Sequence, residues 1–470
     1  MEMYVGEAWI DKGDKIEVTS PYDGRVIDTV PRADERDVEL ALQTAVRGAA
    51  VMRELTAYER SEILYRLAQL IQRDAEDLAR TISSEEGKPL SESRVEVTRA
   101  AEIVRLSAEE AKRLFGEVIP LDAAPGVRGK MGFTVRVPCG VVVAISPFNF
   151  PLHLVVHKLG PALAGGNAVI VKPATDTPLS ALKVVKLALE AGVPPAAVQC
   201  ITGSGGAIGE ALCRDRRVRK ITFTGSRAVG EAIMKVAGLK RVTMELGSNS
   251  PLIVMEDADL ERVAELAAMT GFSNAGQVCI STQRIFAAKS VHDEFVERLA
   301  AKAAAIRVGD PLAEGTGMGP MVRESDAVRV VEWIQEAVQK GARLIAGGER
   351  QGAMVTPAVL ADVAPDARLM RDELFGPAVA VRAFSDIDEA IAMANDTQYG
   401  LSAGIFTRNI DWAMKFAQRV EAGNIHINWG PQWRADLMPY GGLKESGFGK
   451  EGPRYAVQEM TETKMVVFHL

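Results

Sequence analysis

From Val141 to Met255 the sequence repeats one pattern: an apolar strand, a polar or glycine-rich turn, then a helix. Val141-Val-Val-Ala-Ile145 carries no polar residue on either face, which suits a strand in a parallel sheet covered on both sides. A helix is expected over about 152–164, stopped by Gly165-Gly166, then a strand at 168–171 and a helix near 179–190. Further strands are expected at 198–202 and 221–224. This alternation marks an open, Rossmann-type α/β sheet. It constrains function as well as fold. Ligands of such sheets sit outside the carboxyl ends of the strands, so the residues just after each strand are the first candidates for a site.

Those ends read Ser146-Pro147-Phe-Asn149-Phe-Pro151, Lys172-Pro-Ala-Thr175-Asp176, Gly203-Ser-Gly-Gly-Ala-Ile-Gly209 and, after Phe223-Thr224, Gly225-Ser226. Small residues let a backbone approach a pyrophosphate, and helix N-termini favour anions. Lys172 can donate to ribose or phosphate oxygens. The glycine run is not a GxGxxG of the strong type. Four polar loops on one sheet edge nevertheless point to a dinucleotide.

The flanking sequence supplies scaffold. Residues 1–32 read as short strands, with Pro21-Tyr-Asp-Gly24 a turn. Helical periodicity begins near Asp34, and Ile63, Leu64, Leu67, Leu70, Ile71, Leu78 and Ile82 fall on one face before Gly87 and Pro89 stop it. A long helix is expected over about 92–115. Residues 128–137 and 464–469 are strand-like and apolar. They need partners, each other or a second subunit, because open edges are a liability. A homo-oligomer, dimer or tetramer, is expected.

Composition closes off other classes. A net charge of −7 gives no reason to expect nucleic acid or an anionic membrane as partner. No stretch is long and apolar enough to span a bilayer. The four cysteines (Cys139, Cys200, Cys213, Cys279) show no metal-ligand or disulfide spacing. With no secretory pattern after Met1, a reducing cytoplasm is expected.

Seven motifs then appear in order: Pro147-Phe-Asn-Phe-Pro151, Lys172-Pro173, Phe223-Thr-Gly-Ser226, Glu245-Leu-Gly247, Gly276-Gln-Val-Cys279, Glu373-Leu-Phe-Gly-Pro377 and Pro439-Tyr-Gly-Gly-Leu-Lys-Glu-Ser-Gly447. Across nearly its whole length the chain resembles the aldehyde dehydrogenase superfamily. The resemblance implies a dinucleotide-binding domain (1–116 and 139–247), an α/β catalytic domain (248–447) and a small strand-built oligomerisation domain (117–138 and 448–470).

Oxidising an aldehyde requires a hydride to leave carbon. Addition of a thiolate gives a thiohemiacetal that can expel it onto a nicotinamide. Cys279 matches the family's nucleophile. The Asn149 amide and the Cys279 backbone N–H match its oxyanion donors. Glu245 matches the general base that activates water against the thioester, so a free acid is the expected product. Coenzyme-A acylating relatives lack that base. By resemblance Glu373 holds the nicotinamide ribose, with Phe375 beside it.

Two departures matter. Many members have Glu where this chain has Thr175. A neutral hydroxyl removes repulsion of a 2′-phosphate, so use of both NADP and NAD with a lean to NADP is expected, unless Asp176 turns inward. Ser248 stands where the family usually has a second Gly, and its side chain is expected to narrow the site.

For the substrate, Arg434 lies where the family places a substrate loop, with Trp429 and Trp433 expected as walls. Its guanidinium suits a carboxylate, phosphonate, sulfonate or phosphate. The loop resembles the lactaldehyde, phosphonoacetaldehyde and non-phosphorylating glyceraldehyde-3-phosphate branch. Lys158, Arg284 and His157 are further candidates. The alternative for Arg434 is a structural pair with Asp436 or Glu445. The alternatives for the chain are an enzyme for neutral aliphatic aldehydes, a cysteine hydrolase pairing Cys279 with a His such as His153, and a dinucleotide-binding protein without turnover.

Overall fold

The computed structural model describes residues 1–470. The parallel heart of the first sheet runs Val198–Cys200, Ala168–Lys172, Val141–Ile145, Val218–Thr224, Arg241–Glu245. Val141–Ile145 is therefore central, and later strands are added first on one side of it and then on the other. At such a switch point the connecting loops leave in opposite directions and a crevice opens between them. Here it opens between the ends of Val141–Ile145 and Val218–Thr224. Met3–Val5 and Ala8–Ile10 extend one edge of the sheet.

Helices cover both faces. Every residue of His153–Ala164 is buried, the apolar ones by packing and His153, His157 and Lys158 through polar partners. The periodic stretch at 57–86 is two helices, Ala57–Arg73 and Ala75–Glu86, broken at Asp74. The break was invisible in the periodicity because Ile71 and Leu78 lie seven residues apart, close to two whole turns. The next helix, Leu90–Ala111, ends before residue 115 in tight turns at Lys112 and Arg113.

A second, seven-stranded sheet runs Arg343–Ala346, Ala358–Ala361, Ala378–Phe384, Arg284–Ala288, Pro251–Val254, Ser402–Phe406, Asn424–Ile427. All neighbours are parallel except the first pair. The two orphan strand segments partner each other: Lys130–Pro138 runs antiparallel to Thr461–His469, from Lys130 opposite His469 to Pro138 opposite Thr461. The boundary expected at 448 does not match. Gly447–Phe448 joins the edge of the first sheet beside Arg241–Glu245, and Pro453–Glu459 packs on Leu90–Ala111 and His153–Ala164. Only from Thr461 does the tail enter the small sheet. No helix is long and apolar enough to cross a membrane.

Candidate active site

Two cavities meet at one cysteine. The first, about 420 Å³, follows the strand ends at the switch point and is lined by Ser146, Pro147, Asn149, Lys172, Thr175, Phe223, Gly225, Ser226, Gly247, Glu373 and Phe375. The second, about 250 Å³, is lined by Arg99, Phe150, His153, Val278, Ile280, Gln432, Trp433, Arg434, Tyr440 and Glu451. Leu154, Thr224, Glu245, Leu246 and Cys279 line both.

Cys279 is presented by a strained turn. Asn274, Ala275 and Gly276 in succession have left-handed φ of 49°, 52° and 68°. Each non-glycine residue there costs roughly 1–2 kcal/mol, so the turn persists only because it is held. The Asn274 side chain donates to Glu86 and to the Asn149 carbonyl, and the Gln277 side chain accepts from the Val322 backbone. Gly276 cannot be replaced without movement: a Cβ there would lie 2.2 Å from the Gly376 carbonyl oxygen. The Cys279 sulfur has one hydrogen-bond partner, the Tyr440 hydroxyl at 3.2 Å. Burial pushes its thiol up to about 12.

Asn149 is buried beside it. Its side-chain amide donates to the Gln277 carbonyl at 2.8 Å, which leaves one N–H unspent. Glu245 ends its strand buried, with neither carboxylate oxygen hydrogen-bonded. Burial, and then the nearby Glu451 charge, raise its pKa well above the usual carboxylate range. An unpartnered buried carboxylate is costly, and such a group at a cavity junction is a candidate for function.

The larger cavity has the chemistry of a dinucleotide site. The helix Arg227–Ala237 begins at its wall with no side-chain cap, so its first N–H groups are free for a phosphate. Lys172 spends one donor on the Pro173 carbonyl, and burial lowers it to about 8. Glu373 accepts from the Ser248 N–H at 2.8 Å and presses on Gly247, where a Cβ would lie 2.2 Å from its Oε2. Phe148 meets Phe375 edge-on at 5.8 Å.

The smaller cavity ends in buried charge. The Arg434 guanidinium sits 4.0 Å over the Tyr440 ring, donates to Glu451 at 3.1 Å and to His157 Nδ1 at 3.1 Å, and keeps Nε without a partner. Arg99 reaches the same wall and grips Asp436 with two N–H groups, at 2.6 and 3.2 Å. Asp436 also meets His153 at 3.2 Å and His157 at 3.6 Å. Burial pushes His153 down to about 3 and His157 to about 4, so both are neutral. Three potential ligand atoms cluster here, but the set does not suit a metal. Arg434 can only donate, so His157 Nδ1 accepts and the proton is on Nε2, the atom a metal would need.

A model of the aldehyde dehydrogenase family matches residues 9–466. The chain belongs to the aldehyde dehydrogenase family. The 3-sulfolactaldehyde dehydrogenase of Priestia megaterium is 47% identical over 468 residues, spanning 100% of this chain and 98% of that protein. Aldehyde dehydrogenase 21 from Physcomitrella patens, solved with the reaction product succinate, is 37% identical with a TM-score of 0.97, covering 99% of this chain and 98% of that one. The glyceraldehyde-3-phosphate dehydrogenase GapN from Methanocaldococcus jannaschii, solved with NADP, is 36% identical with a TM-score of 0.94, covering 98% and 100%.

In this aldehyde dehydrogenase most of the residues expected at the site line one or both cavities, but several do not. Arg284 is buried in the second sheet, donating to the carbonyls of Asn249, Met393 and Ala394. It is a structural cation away from both cavities. Trp429 packs against the core of that sheet and forms no wall. His157 stands behind Arg434 and does not reach the cavity. Lys158 is spent on Glu451 and Thr224. Gly203 and Gly209 flank the glycine loop, and only Gly205 lines the cavity. Ser248 turns away to Ser250, so it does not narrow the site. Arg434 pairs with neither Asp436 nor Glu445; Glu445 is taken by Arg227. The Cys279–His153 pairing of a cysteine hydrolase is absent: His153 is bound to Asp436. Sequence reasoning missed Arg99 and Arg323, which line the smaller and the larger cavity, and Lys88, which donates to the Asn149 carbonyl; no local signal existed for any of them. It also missed Tyr440, which stood inside a recognised motif.

Proposed function

We propose that this enzyme oxidises a small aldehyde bearing an anionic group to the free acid, with a nicotinamide dinucleotide in the larger cavity. The observation that carries this reading is the meeting of the two cavities at Cys279 and Glu245. Lys172, Thr175, the Ser226 helix start, Glu373 and Phe375 would hold the dinucleotide. When bound, it supplies the acceptor for the hydride. Cys279, as thiolate, adds to the aldehyde carbon. The Asn149 amide and the Cys279 N–H stabilise the oxyanion, a donor typically worth about 100- to 1000-fold in rate. Glu245 takes a proton from the water that releases the acid, and its unpartnered oxygens leave it free to do so. That base favours hydrolysis over transfer to coenzyme A.

For the tail, the two arginines that line the smaller cavity, Arg434 and the partly exposed Arg99, support a sulfonate, phosphonate, phosphate or carboxylate. The 3-sulfolactaldehyde activity of one relative and the succinate held by another fit that class. The cavity, about 250 Å³, suits a short chain. Thr175 is neutral and donates to the Gly203 carbonyl, and Asp176 is paired with Arg323, so the adenosine end carries little net repulsion. Use of NADP as well as NAD follows, with a lean to NADP, the cofactor held by the GapN structure. A cytoplasmic homo-oligomer is part of the same reading.

The test is initial rates with NAD and NADP over sulfonated, phosphorylated, carboxylated and neutral aldehydes, with Cys279→Ser as blank. An anionic aldehyde is expected to lead by at least about tenfold in kcat/KM, about 1.4 kcal/mol. A lead for neutral aldehydes overturns the arginine reading. No rate above the serine blank overturns the catalytic one.

A further inference from the structure

We propose that Tyr440 is a catalytic residue of this enzyme: its hydroxyl donates to the Cys279 sulfur, stabilising the thiolate before attack and again when the thiolate leaves the acyl carbon. This deepens the reading in which Cys279 is the nucleophile and rests on it.

The geometry is specific. The Tyr440 hydroxyl lies 3.2 Å from Cys279 Sγ, and the sulfur is its hydrogen-bond partner. The ring is fixed, only 3% exposed, packed with Val278, Ile280 and Leu401. Arg434 stacks 4.0 Å from the ring centroid. A cation over the π-face withdraws density from the phenol and makes its O–H a stronger donor. A thiol is a weak donor and a thiolate a good acceptor, so ionisation of Cys279 strengthens this contact.

The need for such a donor is also visible. Charged and titratable groups facing Cys279 are Glu245, Glu373, Arg434 and Tyr440. Two are carboxylates, which oppose a thiolate when ionised. Arg434 is shared with Glu451 and His157. Burial disfavours the thiolate further. Tyr440 is the neutral group in direct contact with the sulfur, and it stabilises the anion without repelling the carboxylates. No proton moves through it. In the last step the water oxygen bonds to the acyl carbon, the C–S bond breaks, Glu245 takes the water proton, and the electron pair stays on sulfur facing the Tyr440 O–H.

The test is Tyr440→Phe, which keeps the ring and the Arg434 stack and removes one oxygen. The first readout is the pH dependence of iodoacetamide alkylation at Cys279, followed by peptide mass without aldehyde or cofactor. Cys139, distant and partly exposed, is the internal control. A hydrogen bond to a charged group lost here is expected to move the Cys279 profile up by about one pH unit or more, slowing alkylation about tenfold at pH 8. Cys139 should not change. In turnover, kcat should fall about tenfold with its pH profile shifted up, and KM for aldehyde should change little. Superimposable Cys279 profiles overturn the proposal, as does a parallel shift at both cysteines, which would mark a general loosening. Full activity in Cys279→Ser would instead refute the nucleophile assignment, whatever the alkylation profile.

Discussion

The Lys88 ammonium donates 2.7 Å to the backbone carbonyl of Asn149 and 2.5 Å to the carboxylate of Glu96, wholly out of solvent. Glu96 in turn accepts from the N–H groups of Leu152 and His153, where the helix His153–Ala164 begins. One buried ion pair thus fixes both the loop that carries Asn149 and the helix that follows it. Lys88 also sits 3.7 Å over the Phe150 ring, a wall of the smaller cavity. Lys88→Met should leave Glu96 unpaired at a cost of about 3–5 kcal/mol. The measurement is denaturant unfolding. Lys88→Met/Glu96→Gln should recover much of the stability, and kcat should stay low because the Asn149 carbonyl has lost the shorter of its two hydrogen bonds and keeps only the one from Asn274.

Arg284 yields the opposite prediction. Its donors go to three backbone carbonyls, and no cavity for substrate reaches it. Arg284→Met should lower stability by about 3 kcal/mol or more, since buried carbonyls lose partners. The ratio of kcat/KM for anionic and neutral aldehydes should not change. A change in that ratio on the folded variant would return Arg284 to the substrate site.

Glu373 predicts a pH dependence. Burial pushes its carboxyl up to about 7, partly opposed by the Ser248 N–H. Its folded pKa is above its unfolded one, so the native state binds the proton more tightly. Its contribution to stability therefore falls as pH rises from the ordinary carboxylate range to about 7, by on the order of 3 kcal/mol. Ribose hydroxyls would donate to the ionised form, so dinucleotide affinity should rise over the same window. Calorimetric Kd values and Tm at pH 6 and pH 8 check this against Glu373→Gln, in which both slopes should be reduced.

What the sequence revealed and what it hid divide along a physical line. The all-apolar strand at 141–145, the loops after each strand and the motif around Cys279 are local patterns, and the parallel sheet and the rim of the larger cavity follow from them. Long-range contacts left no local trace. Arg99 meets Asp436 across 337 residues, and Lys88 meets Asn149 across 61. Arg284 and Trp429 were misplaced for the same reason: an arginine or tryptophan near a motif reads alike whether it faces a cavity or the core. Local charge also misled on Arg434, whose partner is Glu451, not the nearer Asp436.

Arg323 and Asp176 decide the last prediction. Arg323 lies beyond the parallel strands of the first sheet in sequence, yet it lines the larger cavity, packs 5.5 Å over Phe148 and pairs with Asp176 next to Thr175. That pair cancels the carboxylate which would otherwise repel a 2′-phosphate. Arg323→Ala should expose the Asp176 charge and lower the kcat/KM ratio of NADP to NAD by about tenfold, roughly 1.4 kcal/mol. Asp176→Ala should raise the ratio, because the guanidinium is then free to meet the phosphate. The double variant should fall between the two. High salt should compress all three differences, since the pair is partly exposed. A ratio unmoved by either single variant would place the 2′-phosphate elsewhere and leave Arg323 as a clasp between Phe148 and Asp176.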